Sequence, residues 1–188
     1  MLTGAILAGG KSSRYGKNKA LETFRGQRFI DRAVDSLRPH CSPVFVVARE
    51  LHLYFDVQAT LLQDVLAEQG PLGGIYTALL FSPHDWVFAR ATDMPFLAPG
   101  LLALMRGMQE GCDVVVPLWD GWYEPLVALY HRRCYPVIAD MLERGEHQIV
   151  ALYKKMKVRE VSEKMWRTVD PEGMSFKNVN RPEDLDIL

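Results

Sequence analysis

The sequence predicts an α/β fold: one domain spanning residues 1–188, built as a Rossmann-like three-layer α/β/α sandwich with a mostly parallel sheet and one antiparallel excursion. Two patterns predict it. Short β-branched and apolar runs alternate with segments of helical period, which is how a parallel sheet covered by helices reads. A glycine-rich, basic segment follows the first of those runs directly, where an open α/β sheet places its ligand. A chain of 188 residues is one ordinary domain in length, and no Pro-, Gly- or Ser-rich linker, repeat or low-complexity tract divides it.

Each element has its own signal. Thr3–Leu7 is an apolar run that ends at the glycine-rich segment, so it reads as the first strand. Phe29, Ile30, Ala33, Val34 and Leu37 recur at helical spacing before Pro39, which cannot continue a helix. Val44–Ala48 is β-branched and aromatic and lies between Pro43 and Arg49; residues 58–62 and 86–89 are shorter strand candidates. Residues 72–81 and 99–109 read as helices, the second with Pro99 and Gly100 in its first turn and Gly111 past its end. Residues 114–117 and 125–130 flank an aromatic turn, 119–123, and are expected to pair antiparallel. Residues 137–142 and 149–156 look helical, Val158–Val161 strand-like, and 182–188 a terminal helical turn.

Composition removes several function classes. Apolar residues make up 48% and charged residues 24%, which is ordinary globular usage and excludes disordered, collagenous and disulfide-scaffold chains. Lys plus Arg number 22 against 23 acidic residues, so the net charge of -1 supplies no global field for nucleic acid or an anionic membrane. No apolar run approaches the roughly 20 residues that span a bilayer. The first residues carry no basic region of the kind that opens a signal peptide. Cys41, Cys112 and Cys134 are far apart and form no C-x-x-C pair, so buried thiols in a reducing cytoplasm are expected. The five histidines form no metal-binding spacing and are assigned to surface or packing.

Positive charge is concentrated locally. Between Leu7 and Lys19 the chain carries Lys11, Arg14, Lys17 and Lys19 with no acid among them. Gly9 and Gly10 remove side chains that would block a close backbone approach, and their amides can face phosphate oxygens. The spacing is not that of a Walker A loop, because Ala5 stands five places before Gly10. Nor is it a dinucleotide fingerprint, because Gly9 and Gly10 are adjacent and Gly16 follows six places on. By spacing alone the segment is either a phosphate cradle or a solvated basic loop.

The segment resembles the N-terminal signature L-A-G-G-x-S-x-R-M-G-x-D-K of the small nucleotidyltransferases that make dinucleotide forms of molybdopterin. Leu7, Ala8, Gly9, Gly10, Ser12, Arg14, Gly16 and Lys19 match, with Tyr15 in place of Met and Asn18 in place of Asp. The resemblance runs the length of the chain. Asp93-Met94-Pro95-Phe96 resembles the family's C-D-x-P-[FY], with Thr92 for the small residue. Gly70-Pro71-Leu72-Gly73-Gly74, a few residues after Asp64, resembles G-P-L-[AG]-G. Residues 125–130 resemble P-L-x-A-L-Y, and 178–185 resemble N-x-N-T-P-E-D-L with Arg181 for Thr. One departure is an Asn that the family carries after its second strand, where this chain has Val46-Val47-Ala48-Arg49.

The resemblance implies a guanylyltransferase that joins GMP from GTP to the terminal phosphate of molybdopterin and releases pyrophosphate. It implies catalytic roles for Arg14, Lys19 and Asp93, and a nucleotide site of Leu7, Ala8, Gly9, Gly10, Lys19, Asp64, Pro71, Leu72, Gly73 and Asp93, with the glycine turn reading guanine. The N-terminal part would hold the nucleotide and the C-terminal part the pterin, through Asn178 and Asn180. Mg²⁺ is the implied cofactor with Asp93 as its ligand, and proteins that make or accept the cofactor are implied transient partners. Position alone leaves Asp93 and Asp64 between such roles and ordinary turn aspartates. Trp119, Trp122 and Tyr123 are assigned to packing in preference to pterin stacking. A cytidylyl relative, transfer to a different phosphorylated acceptor, and a non-catalytic GTP or pterin carrier are the alternatives. L-A-G-G and G-P-L-G-G resemble the guanine branch, where cytidylyl relatives more often read L-A-A-G.

Overall fold

The structure is a computed structural model that describes residues 1–8, 18–66 and 70–179. Strands β1 (Thr3–Leu7), β4 (Val44–Ala48), β5 (Thr60–Gln63), β6 (Trp86–Ala91), β7 (Val114–Trp119), β9 (Val127–His131) and β10 (Val158–Val161) form one sheet in the order β10-β7-β9-β6-β1-β4-β5. β8 (Trp122–Tyr123) folds back on the end of β7, and β2 (Thr23–Phe24) with β3 (Gln27–Arg28) makes a separate small hairpin. Pairing is parallel throughout β6-β1-β4-β5 and between β7 and β10. β9 runs antiparallel between β6 and β7, pairing Val114 with Tyr130 and Ala89 with Ala128. The expected antiparallel excursion is therefore β9, reversed inside the sheet, with the short β8 reversed beside the end of β7, and β7 still ends on the same edge as β1 and β6.

Helices cover both faces, and strand alternation decides which residues they meet. On one face Ile6, Val46, Phe88 and Leu129 pack against α1 (Phe29–Leu37), α3 (Pro99–Arg106) and Trp166 of α6 (Glu163–Trp166). On the other, Ala5, Val47, Ala89 and Ala128 pack against α2 (Gly70–Phe81), α4 (Cys134–Glu143) and α5 (Ile149–Tyr153). These are the three layers. Among the described residues, no helix is long and apolar enough to cross a membrane.

Several boundaries move for local reasons. The third strand of the parallel run begins at Thr60 because a tight turn, Ala59 N to Val57 O at 2.9 Å, precedes it. β6 extends to Ala91, where it pairs with Leu7. α2 opens at Gly70, whose φ of 64° suits glycine, and so starts before Leu72. α3 closes at Arg106 because its last turn tightens to i→i−3 bonds, Gly107 N to Leu104 O at 3.1 Å and Met108 N to Met105 O at 3.0 Å, ending the helix before Gln109. The helix expected over 149–156 ends at Tyr153, and a 3-10 turn at Leu51–Tyr54 and the short α6 carry no periodic signal. The turn expected over 182–188 lies outside the described residues.

Topology fixes where a ligand fits. β5 and β4 lie on one side of β1 and β6 on the other, so the chain crosses back through α2, and the carboxyl ends of β1 and β6 flank a switch point. Leu7 stands opposite both Val47 and Ala91, so the three central strands finish level.

Candidate active site

A cavity of about 250 Å³ opens at that switch point, walled by Leu7 of β1 and Ala8 just after it, Val47 from β4, Asp64 after β5, Thr92 and Asp93 after β6, and Gly70, Pro71 and Gly74 from α2. Asn18, Lys19, Ala20, Ala91 and Leu126 complete the wall. Lys19 Nζ lies 3.6 Å from Asp93 Oδ2, the two side chains 24% and 36% exposed. Both charges are thus within reach of solvent and of a bound anion.

Lys19 is positioned by a short relay. Asn18 caps the 3-10 turn Lys19–Leu21 by accepting from Ala20 N at 3.1 Å. Its amide donates to the Tyr54 hydroxyl at 2.8 Å, and that hydroxyl donates to Ala8 O at 3.2 Å. Tyr54 is buried, which pushes its phenol upward and keeps the hydroxyl protonated as a donor. The turn bearing Lys19 is therefore fastened to the carboxyl end of β1.

Asp64 is fixed by α2. Its Oδ1 accepts from Leu66 N at 3.1 Å and from the buried Thr77 hydroxyl at 2.9 Å. That hydroxyl also lies 3.0 Å from Gly73 O, so its hydrogen is shared, while its oxygen accepts from Val65 N at 3.2 Å. α2 comes this near to β1 because Gly74 has no side chain: a Cβ there would meet Leu7 Cδ2 at 3.0 Å.

Not every expected residue faces the cavity. Leu72 is fully buried in the core under α2, and Gly73 contributes its carbonyl to Thr77 and is not part of the wall; Pro71 and Gly74 face the space. The helical period brings Gly74 round beneath Gly70 and Pro71 and turns Leu72 and Gly73 away. Asn178 is exposed beside the Asp93 turn, because its neighbour Val179 donates N–H to Asp93 O at 2.8 Å. Gly9, Gly10, Arg14 and Asn180 lie outside the described residues. Trp119 packs on Trp166 and Phe176, as expected, and the Tyr123 hydroxyl donates to Glu160. Trp122 departs from the packing assignment: it is 80% exposed at the tip of the β7-β8 hairpin, where the reversal of direction carries it away from the core.

Two charged groups near the site carry no motif that marks them. Glu124 is largely desolvated, and burial together with the charge of Asp93 outweighs the donated Leu126 N–H, pushing its carboxyl up. Arg90 is wholly buried beneath the Asp93 turn. Among the described residues there is no cluster of three or more His, Cys, Asp or Glu that would cage a metal. Asp93 at the cavity wall still fits Mg²⁺, which takes one or two protein carboxylates and fills its remaining positions with substrate phosphates and water.

The model of the MobA-like NTP transferase domain matches residues 4–160. The chain belongs to that family. This transferase is 40% identical over 187 residues to a molybdenum cofactor guanylyltransferase of Desulfosudis oleivorans, covering 98% of this chain and 93% of that one. It is 35% identical to a probable molybdenum cofactor guanylyltransferase of Carboxydothermus hydrogenoformans, covering 100% and 94%. The crystal structure of molybdopterin-guanine dinucleotide biosynthesis protein A from Archaeoglobus fulgidus superposes with a TM-score of 0.85 at 27% identity, covering 98% of this transferase and 95% of that chain. The expected nucleotidyltransferase fold is the fold observed.

Proposed function

We propose that the transferase moves GMP from GTP to the terminal phosphate of molybdopterin, with Mg²⁺ as cofactor, in the cytoplasm. The observation that carries this is the cation and carboxylate of Lys19 and Asp93, 3.6 Å apart at the switch point between β1 and β6. A polyphosphate that enters between them takes Lys19 as its counter-charge and frees Asp93 for a metal. The full-length likeness to named guanylyltransferases supports GTP as the donor.

The chemistry asks little of the protein beyond placement. An oxygen of the molybdopterin phosphate forms a bond to the α-phosphorus of GTP, the bond from that phosphorus to the β-phosphate oxygen breaks, and the electron pair leaves on pyrophosphate. The attacking phosphate is already ionised at neutral pH, so no side chain need remove a proton. Lys19 and Arg14 offset charge on the phosphates, Lys19 as a point charge and Arg14 as a fork, with Gly9 and Gly10 supplying amides. Asp64 and the first turn of α2 hold the nucleoside end, Pro71 presenting the turn to guanine. Asp93 would hold Mg²⁺, which neutralises phosphate charge as a Lewis acid when bound. Asn178 and Asn180 serve the pterin side.

Pyrophosphate release from GTP plus molybdopterin tests the proposal, with CTP and ATP run beside it. Release with GTP alone is expected. Release with CTP in preference to GTP, or nucleotide binding with no release, would overturn it.

A further inference from the structure

Arg90 lies on β6, three residues ahead of Asp93, and has no solvent exposure. Strand alternation sends Ala89 and Ala91 to the α2 side and Arg90, with Phe88, to the α1 side. There its guanidinium turns back beneath its own loop. Nε donates to Met94 O at 2.9 Å, Nη2 donates to both Met94 O and Phe96 O, and Nη1 donates to Ser36 Oγ of α1 at 2.8 Å. The two carbonyls flank Pro95, which has no N–H of its own to tie the loop down.

Among the described residues no carboxylate pairs with this cation. Burial pushes its pKa down to about 9, which leaves it charged at neutral pH. A hydrophobic side chain would fill the slot without desolvating a charge. What the planar fork adds is a rigid hold on two peptide groups just past Asp93. From the other side Val179 N holds the carbonyl of Asp93 itself. The aspartate thus sits on a turn gripped at residues 93, 94 and 96, and it lines the cavity.

We propose that Arg90 is a positioning residue for the cation site: its fork sets the Met94 and Phe96 carbonyls, and through them the direction in which the Asp93 carboxylate meets a divalent ion. This rests on the role proposed above for Asp93. Groups that orient a metal ligand without touching the metal are worth about 10- to 100-fold in metal affinity.

Calorimetric titration with GTP, in Mg²⁺ and again in EDTA and with no molybdopterin present, tests this without turnover. The intact transferase is expected to gain affinity from Mg²⁺, and Asp93→Asn to lose that gain. Arg90→Lys keeps a charge but loses the planar fork that fixes the two carbonyls relative to one another; it is expected to lose roughly 10-fold of the Mg²⁺-dependent gain and to bind GTP in EDTA as before. Ser36→Ala removes one acceptor and should show a smaller loss of the same kind; it decides the matter if Arg90→Lys does not fold. The proposal is overturned if the folded variants keep the full gain, or if affinity falls equally with and without Mg²⁺, as a merely structural role would give. If Asp93→Asn also keeps the gain, the role of Asp93 fails as well; if only the Arg90 and Ser36 variants keep it, the positioning role alone fails.

Discussion

Lys19 and Asp93 form an ion pair across the ends of the neighbouring strands β1 and β6, although β4, β5 and α2 lie between them in the chain. At 3.6 Å and with partial exposure, the contact adds little to stability. Its use lies in holding a cation and a carboxylate where a polyphosphate can part them. Lys19→Ala should therefore leave the melting temperature nearly unchanged while lowering kcat/KM for GTP by roughly 10²- to 10³-fold, the scale for removing one charged stabiliser of a transferring group. Steady-state kinetics with thermal denaturation checks both halves.

The relay from Asn18 through Tyr54 to Ala8 makes a narrower prediction. Tyr54→Phe keeps the ring in the core and removes the hydroxyl, leaving Ala8 O without that donor. A stability loss on the order of 1 kcal/mol is expected, together with a raised KM for GTP because the Lys19 turn is no longer tied to β1. Chemical denaturation and GTP titration would show it.

Asp64 depends on α2 in the same manner. Thr77→Val conserves shape but deprives Asp64 Oδ1 of one donor and Val65 N of its acceptor. The expected cost is about 1 to 3 kcal/mol with weaker nucleotide binding, and Thr77→Ser should restore binding. Calorimetry on both variants separates loss of the hydroxyl from loss of packing.

Much of this was legible in the chain. The strands β1 and β4 declare themselves as unbroken apolar runs and the helix α1 by its helical spacing, and Pro39 and Pro43 punctuate them. The site segments were found by motif, yet motif does not say which side of a helix faces the ligand: Pro71 and Leu72 are adjacent, and only the first reaches the cavity. Tyr54 sits in a 3-10 turn with no periodic signal, and its link to Asn18 spans 36 positions. Arg90 reads in sequence as an interruption of an apolar strand, and nothing in a linear pattern tells that its acceptors are carbonyls of the next loop.

Far from the site, Asp113 ties the amino-terminal edge of β7 together and gives a pH prediction. Burial opposes its charge, but the Arg133 guanidinium and the Lys157 N–H outweigh burial and hold its carboxyl below the usual carboxylate value. A depressed carboxyl stabilises the fold above its unfolded value, about 3.8, and that contribution is lost as pH falls through the folded value. Asp113→Asn should thus be less stable than the parent at pH 7, by about 1 to 3 kcal/mol, and the difference should shrink on acidification. Denaturation curves from pH 7 to about 2, which carry the group below its unfolded value, would reveal a constant gap if the carboxylate were not responsible.

The most direct test is an anomalous-difference map from crystals of the transferase grown with GTP and Mn²⁺ in place of Mg²⁺. Manganese density bonded to Asp93, with triphosphate oxygens between it and Lys19 Nζ, is the predicted result. Nucleotide seated elsewhere, such as the wider cavity beside Arg32 and Phe96 on the α1 side of the Asp93 loop, or metal with no bond to Asp93, would contradict it.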